Sequence, residues 1–126
     1  MKSIDGDRLR RAIRTAESET SARIAVHVSH GRVDDAFEKA RTAFHDARLH
    51  EHPDGRAVLF LLAPKARSFA VYASDAIHRA LGDTFWQTLI AEMKPYFARG
   101  DLTGGLEHGL SRAGDELRAR LPAGQG

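Results

Sequence analysis

Two aspartates, Asp75 and Asp83, are the residues of this chain best suited to covalent chemistry. One carboxylate could act as nucleophile and the other as acid in phosphoryl transfer. Both also stand where helix N-caps are needed, and there a side-chain oxygen satisfies orphan amides. The segment His45-x4-His50-x-His52-x-Asp54 offers imidazole and carboxylate donors of the kind that hold Zn²⁺ or Ni²⁺. Its spacing matches no strong metal signature, and a solvated loop accounts for it as well. His27 and His30, followed by Gly31-Arg32, lie at the carboxyl end of a strand, where open α/β sheets bind ligands; an exposed pair of His is the simpler reading. There is no phosphate-cradling Gly-rich loop, nucleophile elbow or metalloprotease helix motif. The absence of cysteine excludes disulfides, thiol catalysis and Cys-type zinc sites.

The elements that must position these residues belong to one domain, expected over 1–122 with a frayed tail at 123–126, in a chain of 126 residues. Apolar content of 42 % and charged content of 29 % are ordinary for a globular protein. Nineteen Lys and Arg face 17 acids, for a formal charge of +2, and the two signs alternate along helical faces. That pattern reads as solvated helix surface in preference to a nucleic-acid stripe, and no nucleic-acid partner is expected. The longest apolar run, Ala57 to Ala63, is far short of the roughly 20 residues of a membrane helix. The first residues lack an apolar signal core, so the expected location is the cytoplasm.

Hydrophobic spacing gives the order α-β-α-β-β-α-α-α. Leu9, Ala12, Ile13 and Ala16 form a helical stripe over 4–19, and residues 23–29 alternate as a strand. Ala36, Phe37, Ala40, Phe44 and Ala47 mark a helix face over 33–48, and Pro53-Asp54-Gly55 marks a turn. The unbroken apolar run at 57–63 predicts a central strand covered on both faces. Pro64 to Arg67 is a hairpin-length connection to a strand at 69–73. Ser74 or Asp75 then caps a short helix to about Leu81, and Asp83 caps a longer one with a kink or early end expected at Pro95. Gly100 suits a helix C-terminus and Asp101 the next N-cap. Leu102, Leu106, Leu110, Ala113 and Leu117 line the last helix. A strand–helix–strand crossover makes the first two strands parallel, and the third adds antiparallel. The fold class is α/β: a three-layer α/β/α sandwich with a small mixed sheet flanked by helices on both faces.

An ordered series of residues resembles the TPM domain, a family named for a thylakoid lumen protein, a photosystem repair protein and a receptor modulator. The series is Ala16-Glu17-x-x-Thr20-Ser21-x-x-Ile24-x-Val26, the apolar strand at 57–63, and Asp75-Ala76-Ile77-His78 with Gly82-Asp83-x-Phe85-Trp86. It continues through Met93-Lys94-Pro95-x-Phe97-x-x-Gly100-Asp101, Gly105-Leu106, Ala113-Gly114-x-x-Leu117 and Leu121-Pro122. The short bacterial branch is the most similar. The resemblance implies a mixed sheet between helices; in some members it implies calcium binding or acid phosphatase activity, and in others an accessory role in membrane-complex repair or assembly.

Two departures bear on chemistry. Where the family pattern has Gly-Glu after Thr-Ser, this chain has Ala22-Arg23; where it has Gly-Asp-x-Gly-Ile, this chain has Ser74-Asp75-x-Ile77 with both glycines lost. In the expected topology Glu17, Arg23, Asp54 and Asp75 lie near one end of the sheet, with Asp83 in the same region. Convergent carboxylates there would suit Ca²⁺, which takes six to eight oxygen ligands. A guanidinium in place of one carboxylate removes a ligand and adds a positive charge. The expectation is therefore a non-catalytic accessory or protein-interaction module with protein partners, including members of a membrane complex, and no cofactor. The alternative is a calcium-dependent acid phosphatase using Glu17, Asp75 and Asp83. On the first of these readings Arg23 takes the place of the metal and pairs with Glu17 or Asp75 by charge-assisted hydrogen bonds; a solvated Arg23 at the strand edge with an exposed Glu17 is the plainer reading.

Overall fold

A computed structural model describes residues 4–53 and 55–123. The described residues form α1 (Gly6–Glu17), β1 (Arg23–Val28), α2 (Ala36–Asp46), a 3-10 turn (Leu49–Glu51), β2 (Ala57–Ala63), β3 (Ser68–Ala73), α3 (Asp75–Leu81), α4 (Asp83–Ala98) and α5 (Leu102–Arg120). The fold class is α/β, with five helices and a three-stranded mixed sheet. The chain divides into two compact units: Ala22–Arg79, and the segments on either side of it.

The Ala22–Arg79 unit is built on β2. All of its residues are buried, as an unbroken apolar run demands. Its backbone is paired on both sides, parallel to β1 from Arg23↔Ala57 to Val28↔Leu62 and antiparallel to β3 from Val58↔Ala73 to Ala63↔Ser68. The strand order β1-β2-β3 therefore puts the most apolar strand in the centre. One sheet face carries Ala57, Leu59, Leu61, Ala63 and Ala70, which cluster with Ala40, Ala43 and Phe44 of α2 and with Leu49. Tyr72 packs edge-on to Phe44, with ring centroids 4.9 Å apart. Asp35 caps α2, its carboxylate accepting from the Glu38 N–H at 3.1 Å.

The face of α2 differs from the sequence expectation at both ends. Phe37 is 49 % exposed and Ala47 is exposed, while Ala43, outside the expected stripe, is buried. The Phe37 ring lies 5.5 Å from that of Tyr72 on the edge strand β3. A three-stranded sheet is too narrow to cover the whole first turn of the helix, so half of that ring stays in solvent.

In the other unit α5 packs against both α1 and α4. Asp5 caps α1 by accepting from the Arg8 N–H at 3.1 Å, and its own N–H donates to the Thr103 hydroxyl at 3.0 Å. Arg118 donates to the carbonyls of Thr15, Ala16 and Ser18, closing the C-terminus of α1 with a cation. The chain after α5 is tied back to the segment after α1: the Thr20 hydroxyl donates to the Leu121 carbonyl at 2.6 Å, and the Ala123 N–H to the Glu19 carbonyl at 3.0 Å.

Pro95 neither ends nor interrupts α4, which runs on to Ala98. Only three residues of α4 follow the proline, so little of the helix depends on the geometry beyond it. Arg99 follows as C-cap, then Gly100 at φ +80°. Gly100 N–H donates to the Phe97 carbonyl and Asp101 N–H to that of Tyr96, the paired bonds of a Schellman ending. Asp101 at once caps α5 through the Gly104 N–H at 2.9 Å. Asp83 is not the cap of α4: Gly82 occupies that position and Asp83 is the first helical residue. Its carboxylate there favours the positive end of the helix dipole. No helix among the described residues is long and apolar enough to cross a membrane.

The close approach of α1 and α5 is set by Gly114, where an added Cβ would stand 2.7 Å from the Ala16 Cα. Gly114→Ala gains about 1 kcal/mol of helix propensity. It forces two backbones apart, at an overpacking cost of roughly 1–3 kcal/mol. We expect a net destabilisation of up to about 2 kcal/mol, read as a lower urea midpoint at unchanged slope. An equal or higher midpoint would show that the helices separate freely.

Candidate functional site

Arg23 opens β1 in register with Ala57, exposed, its N–H donating to the Arg56 carbonyl at 2.9 Å. On the other side of β2, Ser74 continues the ladder past β3. Its N–H donates to the Ala57 carbonyl at 3.0 Å, and its hydroxyl accepts from the Ala57 N–H at 3.3 Å. The Ser74 carbonyl accepts from the His78 N–H at 3.0 Å, so Ser74 holds the cap position of α3 and Asp75 is its first residue, exposed. Arg23 and Ser74 thus flank the same residue of β2, their backbones roughly 10 Å apart, two strand spacings. The guanidinium and the Asp75 carboxylate belong to one end of the sheet.

Glu17 is the last residue of α1 and Asp83 the first of α4; both lie in the helical unit. Asp54 lies outside the described residues. His50 is exposed in the 3-10 turn, its ring 4.6 Å from that of His45, whose Nδ1 lies 3.0 Å from the Arg41 carbonyl. His52 is the residue that ends the turn. His27 is exposed on β1, and His30 lies beyond its end in the loop to α2. Among the described residues no group of three or more His, Asp and Glu is placed to hold a metal ion. What the Arg23 edge offers chemically is a cation of planar fork geometry, suited to a carboxylate or phosphate.

Sequence reasoning did not find a polar cluster that joins α4 to α5. Glu92 Oε1 lies 2.7 Å from His108 Nε2 and accepts from Arg112 Nε at 3.1 Å. The Tyr96 ring stacks on His108 at 5.4 Å, and the Arg99 guanidinium lies over Tyr96 at 4.4 Å. The hydrogen bond from His108 first, then that from Arg112, hold the Glu92 carboxyl below the usual glutamate range. The i, i+4 pairs Glu92/Tyr96 and His108/Arg112 are visible in the sequence, but nothing there says that the two helices bring them face to face. A groove of about 270 Å³ between α1 and α5 was equally unmarked; Arg8, Arg11, Ser111 and Arg118 border it. Arg8 is bound to Glu107, and Arg118 to Asp115 and the α1 carbonyls, so two of its three arginines serve the helix pair itself.

Comparison with known proteins fits this geometry to a family. A sequence model of the TPM domain matches residues 2–116, and the chain belongs to that family. Its fold is similar to the NMR structure of the BA42 protein from the psychrophilic bacterium Bizionia argentinensis, at 27 % identity and TM-score 0.87, covering 98 % of this chain and 88 % of that one. The solution structure of the N-terminal domain of the cg2496 protein from Corynebacterium glutamicum shares the fold at 12 % identity and TM-score 0.70, covering 96 % and 78 % of the two chains. A search of the curated proteins found no match.

The Glu92 cluster makes stability pH-dependent in a defined direction. A carboxyl whose pKa is lower folded than unfolded contributes fully above its unfolded value, about 4.3, and loses that contribution as pH falls through the folded one. Glu92→Gln should therefore lower stability most near pH 7, with the gap to the parent closing toward pH 3. Urea unfolding at the two pH values measures it; a gap that stays constant would remove Glu92 from the acid response.

Proposed function

We propose that this TPM domain is a non-catalytic accessory or protein-interaction module in which Arg23 has displaced the acidic metal site of the family. The observation that supports this reading is the register: Arg23 heads β1 beside Ala57, at the sheet end from which Asp75 opens α3. A guanidinium at that end opposes a divalent cation. It also offers a carboxylate the bidentate hydrogen bonds that a metal would otherwise supply as charge. The junction after β3 adds to the effect. Ser74 is bonded to Ala57 through both its N–H and its hydroxyl, so the chain is held close on β2 where two glycines would have let backbone oxygens turn toward an ion. With the cation excluded, the domain works by contact with a protein partner in the cytoplasm, directly or as part of a membrane complex, and not by turnover.

Two measurements on the purified chain test this. Millimolar calcium should leave its thermal midpoint unchanged, and p-nitrophenyl phosphate should not be hydrolysed between about pH 5 and 8, the range in which histidine and shifted carboxylates titrate, with calcium or magnesium. Arg23→Glu should then acquire a calcium-dependent rise in midpoint, with weak affinity of about 10⁻⁴–10⁻³ M, the range of the weakest calcium modules. Metal-dependent turnover by the parent chain, lost in Asp75→Asn with the fold intact, would overturn the proposal in favour of the phosphatase reading.

A further inference from the structure

At the opposite end of the sheet from Arg23 and Asp75, the loop leaving β1 and the turn between β2 and β3 border a cleft of about 570 Å³. It is shallow and open to solvent, lined by exposed and half-buried residues. The place is that of ligand sites in open α/β sheets, outside the carboxyl ends of a parallel pair, here β1 and β2. Its polar side chains are His30, Arg32 and Asp34 from the first loop and Lys65 from the second.

The cations of this cleft are not consumed by the fold. Arg32 Nε donates to Asp34 Oδ1 at 2.9 Å, but the two side chains are 89 % and 79 % exposed. A pair so solvated contributes little, and the other guanidinium N–H groups remain for a ligand. His30 and Lys65 bond to no described residue. The backbone behaves likewise. Ser29 N–H donates to the Leu62 carbonyl at 2.8 Å, after which no amide from His30 to Asp34 donates to a described residue.

Gly31 sits in the middle of this run. Its φ is not positive, and a Cβ there would meet nothing within 4 Å. Neither backbone conformation nor crowding requires glycine; what its lack of a side chain provides is bare backbone at the mouth of the cleft, where a ligand can approach closely.

We propose that this cleft binds a small phosphorylated ligand, its phosphate shared between the Arg32 guanidinium, the Lys65 ammonium and the amides around Gly31. A phosphate fits better than a carboxylate because the donors come from two loops. Three oxygens disposed around a centre can serve all of them, while a carboxylate offers two in one plane. The proposal is independent of whether the opposite edge has lost its metal.

The test is titration of the full ¹⁵N-labelled chain with inorganic phosphate, pyrophosphate and, as a carboxylate control, succinate, observed through backbone amides. Pyrophosphate should give saturable shifts centred on residues 30–34 and 65–66, with weaker binding of succinate. The double variant Arg32→Gln, Lys65→Gln should bind pyrophosphate at least about tenfold more weakly, since charge-assisted hydrogen bonds are the strong ones. Gly31→Ala should keep the parent's unfolding midpoint and also lose affinity. Shifts centred on the arginines of α1, or equal affinity in the variants, would overturn the proposal. So would succinate binding as tightly as pyrophosphate, which would mark a general acidic-group site.

Discussion

Both candidate sites of the sheet are positioned by the pairing of β2 on its two edges. A strand of seven buried residues cannot leave a backbone N–H or C=O to water. It must therefore be bonded along both sides, and its partners are β1 and β3. Those two ladders fix registers, and the registers fix the ends. Because β1 starts opposite Ala57 and Ser74 bonds the same residue from the other side, Arg23 and Asp75 share one end of the sheet. Because β1 ends opposite Leu62 and the hairpin turns after Ala63, His30, Arg32 and Lys65 border a cleft at the other. A slip of one residue in either ladder would carry the inward side chains of that strand to the wrong face. The burial of β2 thus protects both candidate sites although none of its side chains belongs to either.

The helical unit is held in a different way. Here the contacts are specific and local: a glycine that admits Ala16 at Gly114, a hydroxyl of Thr103 that answers the Asp5 N–H, an arginine that closes the carbonyls of α1. Polar groups at helix ends and across helix pairs are paired with each other. Arg8 and Arg118 already serve the helix pair. Arg32 and Lys65, by contrast, sit on loops whose ends are fixed by the sheet while their charges are left to solvent. Cations of equal formal charge therefore differ in what they can offer a ligand.

Hydrophobic period and helix punctuation made much of the fold legible in the sequence. The run at 57–63 could only be a strand covered on both faces; the Gly100-Asp101 junction could only stop one helix and start the next. The family series was likewise legible, because its spacing is made of such caps and turns. What failed to show was anything set by contacts distant along the chain. Phe37 lay in the right stripe, but the narrowness of the sheet, not the helix period, decided its exposure. Asp83 looked like a cap because its side-chain oxygen could satisfy the orphan amides of a helix start; Gly82 took that position. Pro95 was expected to kink or end its helix, and α4 runs on past it to Ala98. Glu92, His108 and Arg112 are unremarkable singly, and only the α4–α5 packing makes them a cluster. Of the candidate site, the shared edge of Arg23 and Asp75 was readable from topology alone, since strand direction is enough to say which ends coincide.

On the proposed reading, two changes act on the acidic edge, and their magnitudes differ. Exchanging a carboxylate for a guanidinium reverses the sign of a full charge within a few ångströms of where an ion would sit. Even at an effective dielectric of about 20, a unit-charge interaction at about 4 Å is about 4 kcal/mol. A divalent ion doubles it, and reversal of sign counts it twice. Loss of the two glycines acts through backbone reach, removing a carbonyl ligand without introducing repulsion. The first change would thus suffice to exclude a cation; the second would limit how well any restored carboxylate could hold one. Ser74 has also put the junction to structural use, since its hydroxyl bonds to the strand instead of leaving the backbone free to move. On the same reading, a positive charge at the sheet end from which Asp75 opens α3 would oppose a cation there.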